Sequence, residues 1–420
     1  MHSNSFGISP RVTIFGQSHD PEIGARITGL PAGMHIDHDA LEDLLERRRP
    51  GKSALTTPRK ETDAPHIVSG ITDGVLDGSA LSVVFHNSDT RNADYERFKT
   101  TPRPSHADYV ATQKYGDGHS IAGGGRFSGR LTLPLCYAGA LCLQVLHEQG
   151  IEVTARLVEV GGSALDIEQC ILDAAADGNS VGGIIELTVT DLPAGIGEHP
   201  FAGVEPVLSQ LFFAIPGVRG VEFGAGFRAA TMRGSEHNDS WILTDEGEVR
   251  TASNHAGGVV AGMTTGMPLV ARIAFKPTPS IACGQETLNL ESGKQEMLAV
   301  TGRHDPCIAV RAVPVVEAAA AIGLLNLINL DSSVRSDELA DLRSSIDTLD
   351  IELIRLINTR MDISEKIGQY KTERNMPIHH PEREQEIIDR LREGTSPEIA
   401  EYIEELYGKI FEWSRKRQES

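Results

Sequence analysis

The run Leu342-Arg-Ser-Ser-Ile-Asp-Thr-Leu-Asp-Ile-Glu-Leu-Ile-Arg-Leu356 splits this chain in two. Leu342, Ile346, Leu349, Leu353 and Leu356 recur at alternating steps of four and three, and the pattern continues through Arg360, Ile363, Ile367 and Tyr370. Such a stripe predicts one long helix that packs along a partner. Asp337 reads as its cap and Pro377 lies just beyond its end. About 38 residues at 1.5 Å each make a rod of roughly 57 Å. A second helix is predicted over Glu382 to Glu393, and Ser396-Pro397-Glu398 reads as the start of a last helix that reaches Gln418.

Outward from that rod the composition changes. The last 85 residues hold 13 basic and 20 acidic side chains with three glycines, against 26, 39 and 39 in the first 335. The polar run Asp331 to Asp337 therefore predicts a linker, with domains at 1–335 and 336–420. The large part alternates glycine-rich turns with strand-like runs such as Gly182 to Thr190. Helices are legible at His38 to Arg49, Leu131 to Gln149 and Pro314 to Leu330. Periodicity gives a mixed α/β domain followed by an all-α domain.

A net charge of −20 disfavours a general nucleic-acid or anionic-membrane surface, so no nucleic acid and no membrane are expected as partners. No signal peptide is read at the start, and the apolar stretch Ala312 to Leu330 contains Glu317 and two asparagines, as a buried helix would. The expected compartment is the cytoplasm. Five cysteines without a CxxC pair suggest neither a disulfide framework nor a metal site, and each is expected to be a small buried apolar residue.

Two constellations carry chemistry. On the rod, Arg360 stands on the apolar seam, which costs desolvation unless an anion meets it. Lys371, eleven residues on, returns to nearly the same face, while Arg343 lies about 42 Å from Lys371 along the axis and reaches the same ligand only from an antiparallel second copy. Ser414 and Gln418 sit one turn apart on the last helix. The large part gathers cations at Arg47-Arg-Arg49, Lys52 and Arg59-Lys60, with Arg103, Arg126, Arg130 and Arg303 further along. Gly123-Gly-Gly-Arg-Phe-Ser-Gly-Arg130 offers backbone N–H groups beside two arginines, as an anion cradle does, yet it is not a P-loop. A histidine such as His19 or His106, taken alone, is more often structural than catalytic.

The rod and its two followers resemble the all-helical chorismate mutases. That resemblance implies a dimer with intertwined long helices and substrate contacts at Arg343, Arg360, Lys371, Arg383, Glu384, Ser414 and Gln418, while His380 departs from one member's aspartate. A pericyclic rearrangement asks only for a compact conformer and donors to the ether oxygen, here Lys371 and Gln418 beside Arg360. The bare alternative is a helical tail that only oligomerises or binds a feedback ligand.

Residues 5–330 resemble chorismate synthase in the ordered motifs Phe15-Gly-Gln-Ser-His19, Arg47-Arg-Arg-Pro-Gly51, Arg103-Pro-Ser-His-Ala-Asp108, Gly123-Gly-Gly-Arg126, Arg233-Gly-Ser-Glu-His-Asn-Asp239, Asn254-His-Ala-Gly-Gly258, Lys276-Pro-Thr278 and Gly302-Arg-His-Asp-Pro-Cys307. The resemblance implies a β-α-β sandwich with a central helical layer, a tetramer, and elimination of phosphate from 5-enolpyruvylshikimate 3-phosphate with reduced FMN. NADPH is a candidate reductant. A flavin-binding reductase without elimination activity is the rival from another class.

By motif, Arg48, Arg103, Arg130 and Arg303 bind substrate, with Arg59 or Lys60 standing in for a family arginine at Ala54. His19 is the general acid near the leaving phosphate, His106 protonates or stabilises the reduced flavin, and Asp305 takes part in proton removal. Arg126, Phe127, Ser128, Ala261, Lys276, Pro277, Thr278, Ser280 and Arg303 contact FMN, although Phe127 and Ala261, like Gln17 and Asp20, depart from the family's usual residues.

Overall fold

The structure, a computed structural model, describes residues 4–419 apart from 52–54, 58–61, 88–91, 117, 119, 301–303, 336–337, 375, 394 and 396. Side chains of 92–94, 332–335, 338–345, 393, 397–398 and 419 are likewise outside the description. Two compact units are present, 1–332 and 333–420.

The large unit is two antiparallel sheets with helices between them. The first runs in the order Ser5–Phe6, Arg11–Gly16, Glu22–Thr28, Leu81–His86, His66–Ser69. The second runs Val218–Phe223, Leu269–Phe275, Gly183–Thr190, Glu152–Val160. Leu269–Phe275 alternates buried and half-buried residues along its whole length, the period-2 signature of a sheet with one face in the core.

The helix Thr132–Glu148 packs against strands of both sheets, and its Tyr137 meets Phe85 of the first sheet edge to face at 6.0 Å. Beside it lies Ala309–Arg335. A Cβ at Gly139 would stand 2.3 Å from that of Ala318, so the two helices approach as closely as glycine against alanine allows. The run Ala318 to Ile322 is wholly buried, which small side chains permit at such a separation. Asn326 and Asn329 donate to the carbonyls of Pro10 and Ser9, and Glu317 accepts from the Ala155 amide. Those bonds tie the helix to both sheets. The β-α-β sandwich implied by resemblance is thus the observed fold.

Pro314 does not start the last large helix, which begins five residues earlier at Ala309; it lies inside the helix, past the four N–H groups that lack an intrahelical partner, and leaves the Val310 carbonyl without its i→i−4 donor. Among the described residues two helices, Gly129–Glu148 and Ala309–Asp331, are long and apolar enough to cross a membrane, and 78% of each such window is buried inside the fold. Cys136, Cys142 and Cys307 are buried as expected, whereas Cys170 is half-buried and Cys283 is exposed.

The small unit comprises the rod Glu338–Thr372, then Pro381–Glu393, Pro397–Ala400 and Ile403–Glu419. The last segment is therefore not one helix from Ser396: the chain breaks after Ala400 and restarts at Ile403. Asp337 and Ser396, read as caps, lie outside the described residues. Ile388, Ile403 and Phe411 form the unit's small core, and Gly368 lets the rod meet the last helix, since a Cβ there would stand 2.7 Å from Gln418 Cα. Ile346, Leu349, Leu353, Leu356, Ile363, Ile367 and Tyr370 remain exposed along the rod.

Candidate active sites

The glycine run Gly123 to Gly125 takes positive φ at all three residues and threads against the segment that ends in His19. A Cβ on Gly123 would come within 2.5 Å of the His19 ring nitrogen Nε2, so only glycine lets the two strands of this wall touch. After the run, a 3₁₀ turn at Gly129–Leu131 leads into Thr132–Glu148 and sets Arg130 at the head of the central helix. These elements close one side of a cavity of about 700 Å³. Among the other walls are Arg48 and Thr57, Arg103 with Ser105 to Ala107, Lys276 with Thr278 to Ser280, and His304 with Asp305 and Arg311.

Arg48, Arg103, Arg126, Arg130, Lys276 and Arg311 all line this cavity. Beneath them sit carboxylates. Asp63, with a side chain 0% exposed, takes Arg48 on one oxygen and Arg130 on the other. Asp108 takes Arg103 bidentately, at 2.8 Å to each oxygen. Asp305 accepts from the Thr57 amide at 2.9 Å and from Arg311 at 2.8 Å. Burial alone would raise the carboxyls of Asp63 and Asp108, but Arg48 and Arg130 hold the first below its ordinary value, and hydrogen bonds from Arg103 and His106 hold the second well below. Burial, then repulsion from Arg311, pulls Arg48 down to about 10, still charged at neutral pH.

His106 Nδ1 lies 2.6 Å from Asp108 Oδ1. An ionised carboxylate only accepts, so the proton sits on Nδ1. The 3.0 Å approach of Arg103 to the same nitrogen then sets two donors side by side, both aimed at Asp108. Nε2 is left with its lone pair. Burial lowers the His106 pKa, against the pull of Asp108, and burial with Arg103 does the same at His304. His304 Nε2 is itself buried without a hydrogen-bond partner among the described residues. Neutral imidazoles are thus held where the unfolded chain would charge at its ordinary value near 6.5. Below about pH 6.5 the unfolded state binds the extra protons, so the stability of the large unit is expected to fall as pH drops from 7 toward 5. Denaturant midpoints across that range check it; a midpoint that rises on acidification would contradict it.

Other expected residues fall differently. Of Arg47, Arg48 and Arg49 only Arg48 faces the cavity; Arg47 pairs with Glu317 and Arg49 with Glu42 and Glu46. Arg126 and Phe127 are exposed at the lip, with Arg126 4.9 Å from the centre of the Tyr115 ring. Thr278 donates to the Asp305 carbonyl, Ser280 accepts from Arg103, and Lys276 donates to the Ser105 carbonyl. Ser128 lines the cavity and its hydroxyl accepts from the Arg130 amide. His19 stands behind Gly123 and meets Tyr95 edge to face at 5.2 Å. Pro277 turns toward Gly182, and Ala261 sits at positive φ on the exposed hairpin between Val259–Val260 and Met263–Thr264, so neither lines the cavity. Arg59 and Arg303, with Lys52, Ala54 and Lys60, lie outside the described residues.

Matches to known proteins join this geometry to a family. Residues 10–328 fit the family model of chorismate synthase. This chain belongs to the chorismate synthase family. Chorismate synthase of Chitinophaga pinensis is 48% identical over 78% of this chain and 97% of its own, and that of Korarchaeum cryptofilum is 43% identical over 76% and 95%. A solved structure titled as the crystal structure of chorismate synthase shares the fold, with TM-score 0.58 and 22% identity over 77% of this chain and 92% of that one. Residues 342–419 fit the model of chorismate mutase type II. The chain is a bifunctional enzyme of aromatic amino-acid biosynthesis, a chorismate synthase followed by a chorismate mutase, and both families act on small anionic substrates.

In the mutase unit, Arg360 on the rod donates to the Ser414 hydroxyl, which is buried, and lies 5.6 Å from the centre of the Phe411 ring. One turn beyond, Gln418 Oε1 is buried without a hydrogen-bond partner among the described residues. Lys371 donates to the Ile378 carbonyl at 2.7 Å. Glu384 receives Arg415 on both oxygens, at 2.6 and 2.8 Å. Arg383 points to solvent and pairs with Glu386, so the expected pocket does not include it in one chain. The Arg343 side chain lies outside the described residues.

Sequence reasoning missed Asp63, Asp108, Arg311, His304 and Arg415. Arg311 had a signal, a cation inside the apolar run Ala309-Val-Arg-Ala-Val-Pro314, and Asp108 closes a motif already singled out. Asp63 had none, because nothing local tells a buried loop aspartate from a solvated one.

Proposed function

We propose that the synthase unit converts 5-enolpyruvylshikimate 3-phosphate to chorismate by 1,4-elimination of phosphate, and that the mutase unit rearranges chorismate to prephenate. The observation that carries the first step is the charge of the cavity. Six lining cations stand over three carboxylates, one of which lines the cavity while two lie beneath it. A surplus of positive charge in a protein of net charge −20 suits a substrate with one phosphate and two carboxylates.

A reduced flavin fits the same cavity. The volume admits a ring system beside the substrate, and Arg126, Ser128, Lys276 and Thr278 place a phosphate-binding edge at its lip. Bound there, reduced FMN would lend electrons to the elimination and take them back, since loss of phosphate with a proton is redox-neutral overall. The protein's part is positional: Arg48, Arg103, Arg130 and Arg311 orient the anions, and His106 presents Nε2. An anionic group against that nitrogen favours the imidazolium and turns an acceptor into a proton donor. His19 would reach the leaving phosphate from behind Gly123, and Asp305 would act in proton removal. NADPH is the proposed reductant.

For the second step, Arg360 with Ser414, Gln418 and Lys371 is the proposed polar cluster for a dicarboxylate with an ether oxygen, with Arg360 and Lys371 as its cationic donors and Gln418 Oε1 left without a partner among the described residues. This cluster argues against a tail that only oligomerises. The exposed apolar stripe of the rod supports pairing of two mutase units, with Arg343 of one copy completing the site of the other; tetrameric assembly of the synthase unit, domains of 1–335 and 336–420 and a cytoplasmic location complete the proposal.

The full-length chain, incubated anaerobically with chemically reduced FMN and the enolpyruvyl phosphate, is expected to release phosphate and accumulate prephenate. Chorismate without prephenate would reduce the tail to an oligomerisation module, and flavin turnover without phosphate release would leave a reductase.

A further inference from the structure

Arg48 ends the helix His38–Arg48, and Arg130 heads the turn before Thr132–Glu148. The two guanidiniums meet on Asp63, a buried residue held at φ +52. Arg48 has a partner on each of its three nitrogens: Nε donates to Thr132 at 3.1 Å, NH2 to the Gly129 carbonyl at 3.1 Å and NH1 to Asp63 at 3.2 Å, which leaves one N–H on NH1 and one on NH2 for a ligand. Arg130 differs. Its Nε donates to Asn87 at 2.9 Å and its NH1 to Asp63, while NH2 is buried and has no hydrogen-bond partner among the described residues. An orphaned guanidinium nitrogen at the wall of a cavity is costly unless a ligand completes it.

We propose that Asp63 is the positioning residue of the anion cradle: by gripping NH1 of Arg48 and of Arg130 on its two oxygens, it leaves Arg130 NH2 as the donor that meets an anionic group of the substrate. The inference rests on the synthase reading above and deepens it. It has a sign that tells it from simpler roles. If Asp63 only balanced charge, its removal would strengthen the positive potential and tighten anion binding. If it only braced the fold, removal would lower Tm and leave KM alone. As a positioning residue it must weaken binding, because an asparagine in its place accepts from one guanidinium and turns an NH2 against the other.

The test uses the full-length chain. Asp63→Asn is expected to raise KM for the enolpyruvyl phosphate about tenfold or more with a smaller change in kcat, and to weaken flavin-free binding of the substrate, measured by calorimetry, in proportion. In an Arg130→Ala background the same substitution is expected to add less than about twofold, since its effect runs through Arg130. Asn87→Ala, which loosens the other arm of Arg130, is expected to act in the same direction, and it keeps the test available if Asp63→Asn does not fold. An unchanged or lowered KM in the folded variants, or additive effects in the Arg130→Ala background, would overturn the proposal. Parent protein that binds the substrate but releases no phosphate would sink the elimination reading and leave the cradle standing; parent protein that does neither would sink both.

Discussion

A chain carrying His106→Ala is expected to release phosphate from the enolpyruvyl substrate about 10²–10⁴-fold more slowly than the parent at saturating reduced flavin, the range that general acid–base groups contribute. The size follows from how the imidazole is held. Asp108, kept ionised by Arg103, fixes the proton on Nδ1 and therefore presents the lone pair of Nε2. Burial then holds the ring neutral until an anion arrives. His304 is a second buried imidazole in the lining, but among the described residues His106 is the one whose proton is fixed by a carboxylate at hydrogen-bond distance. Anaerobic phosphate release checks the prediction, and prephenate formation from added chorismate serves as the internal control. A rate within about threefold of the parent would refute the role given to His106.

Arg360→Ala is expected to slow conversion of added chorismate to prephenate by about 10²–10³-fold, the loss typical of one preorganised donor to developing charge, while phosphate release by the synthase unit stays within about twofold. Arg360 reaches its place from the rod, is held by the Ser414 hydroxyl and is half-buried beside Phe411. With the guanidinium gone, Ser414 and Gln418 cannot supply the charge, and burial keeps water from replacing it in full. Arg360→Lys is expected to recover only part of the rate, because an ammonium cannot reach carboxylate and hydroxyl with a planar fork. Disappearance of chorismate reports the result, and an undiminished rate would leave the helical unit without a catalytic role.

Much of this was legible before any coordinate. The four-three spacing of Leu342 to Tyr370 is a property of one helix, so it survives in any tertiary setting, and the observed rod Glu338–Thr372 follows it. Likewise the glycine run at 123–125 announces a backbone that other residues adopt only under strain. The break at Ala400 was not legible, because Ile399 to Leu406 is compatible with continuous helix and only packing of Ile403 and Phe411 against Ile388 sets where the chain turns. Arg47 and Arg49 could not be told from Arg48, since three adjacent cations differ only in which way the helix end faces.

Residue types and their local spacing thus settled the division into an α/β part and a helical part, and the presence of arginine-rich segments in an acidic chain. What the tertiary structure alone decided is which cations share a cavity and which acids lie under them. Asp63 reaches Arg130 across 67 residues, Thr57 reaches Asp305 across 248, and Arg47 reaches Glu317 across 270. The physical reason is range. Helix and turn preferences act over a few neighbouring residues, whereas the direction of a guanidinium is set by carboxylates that approach only when two sheets close on the helices between them.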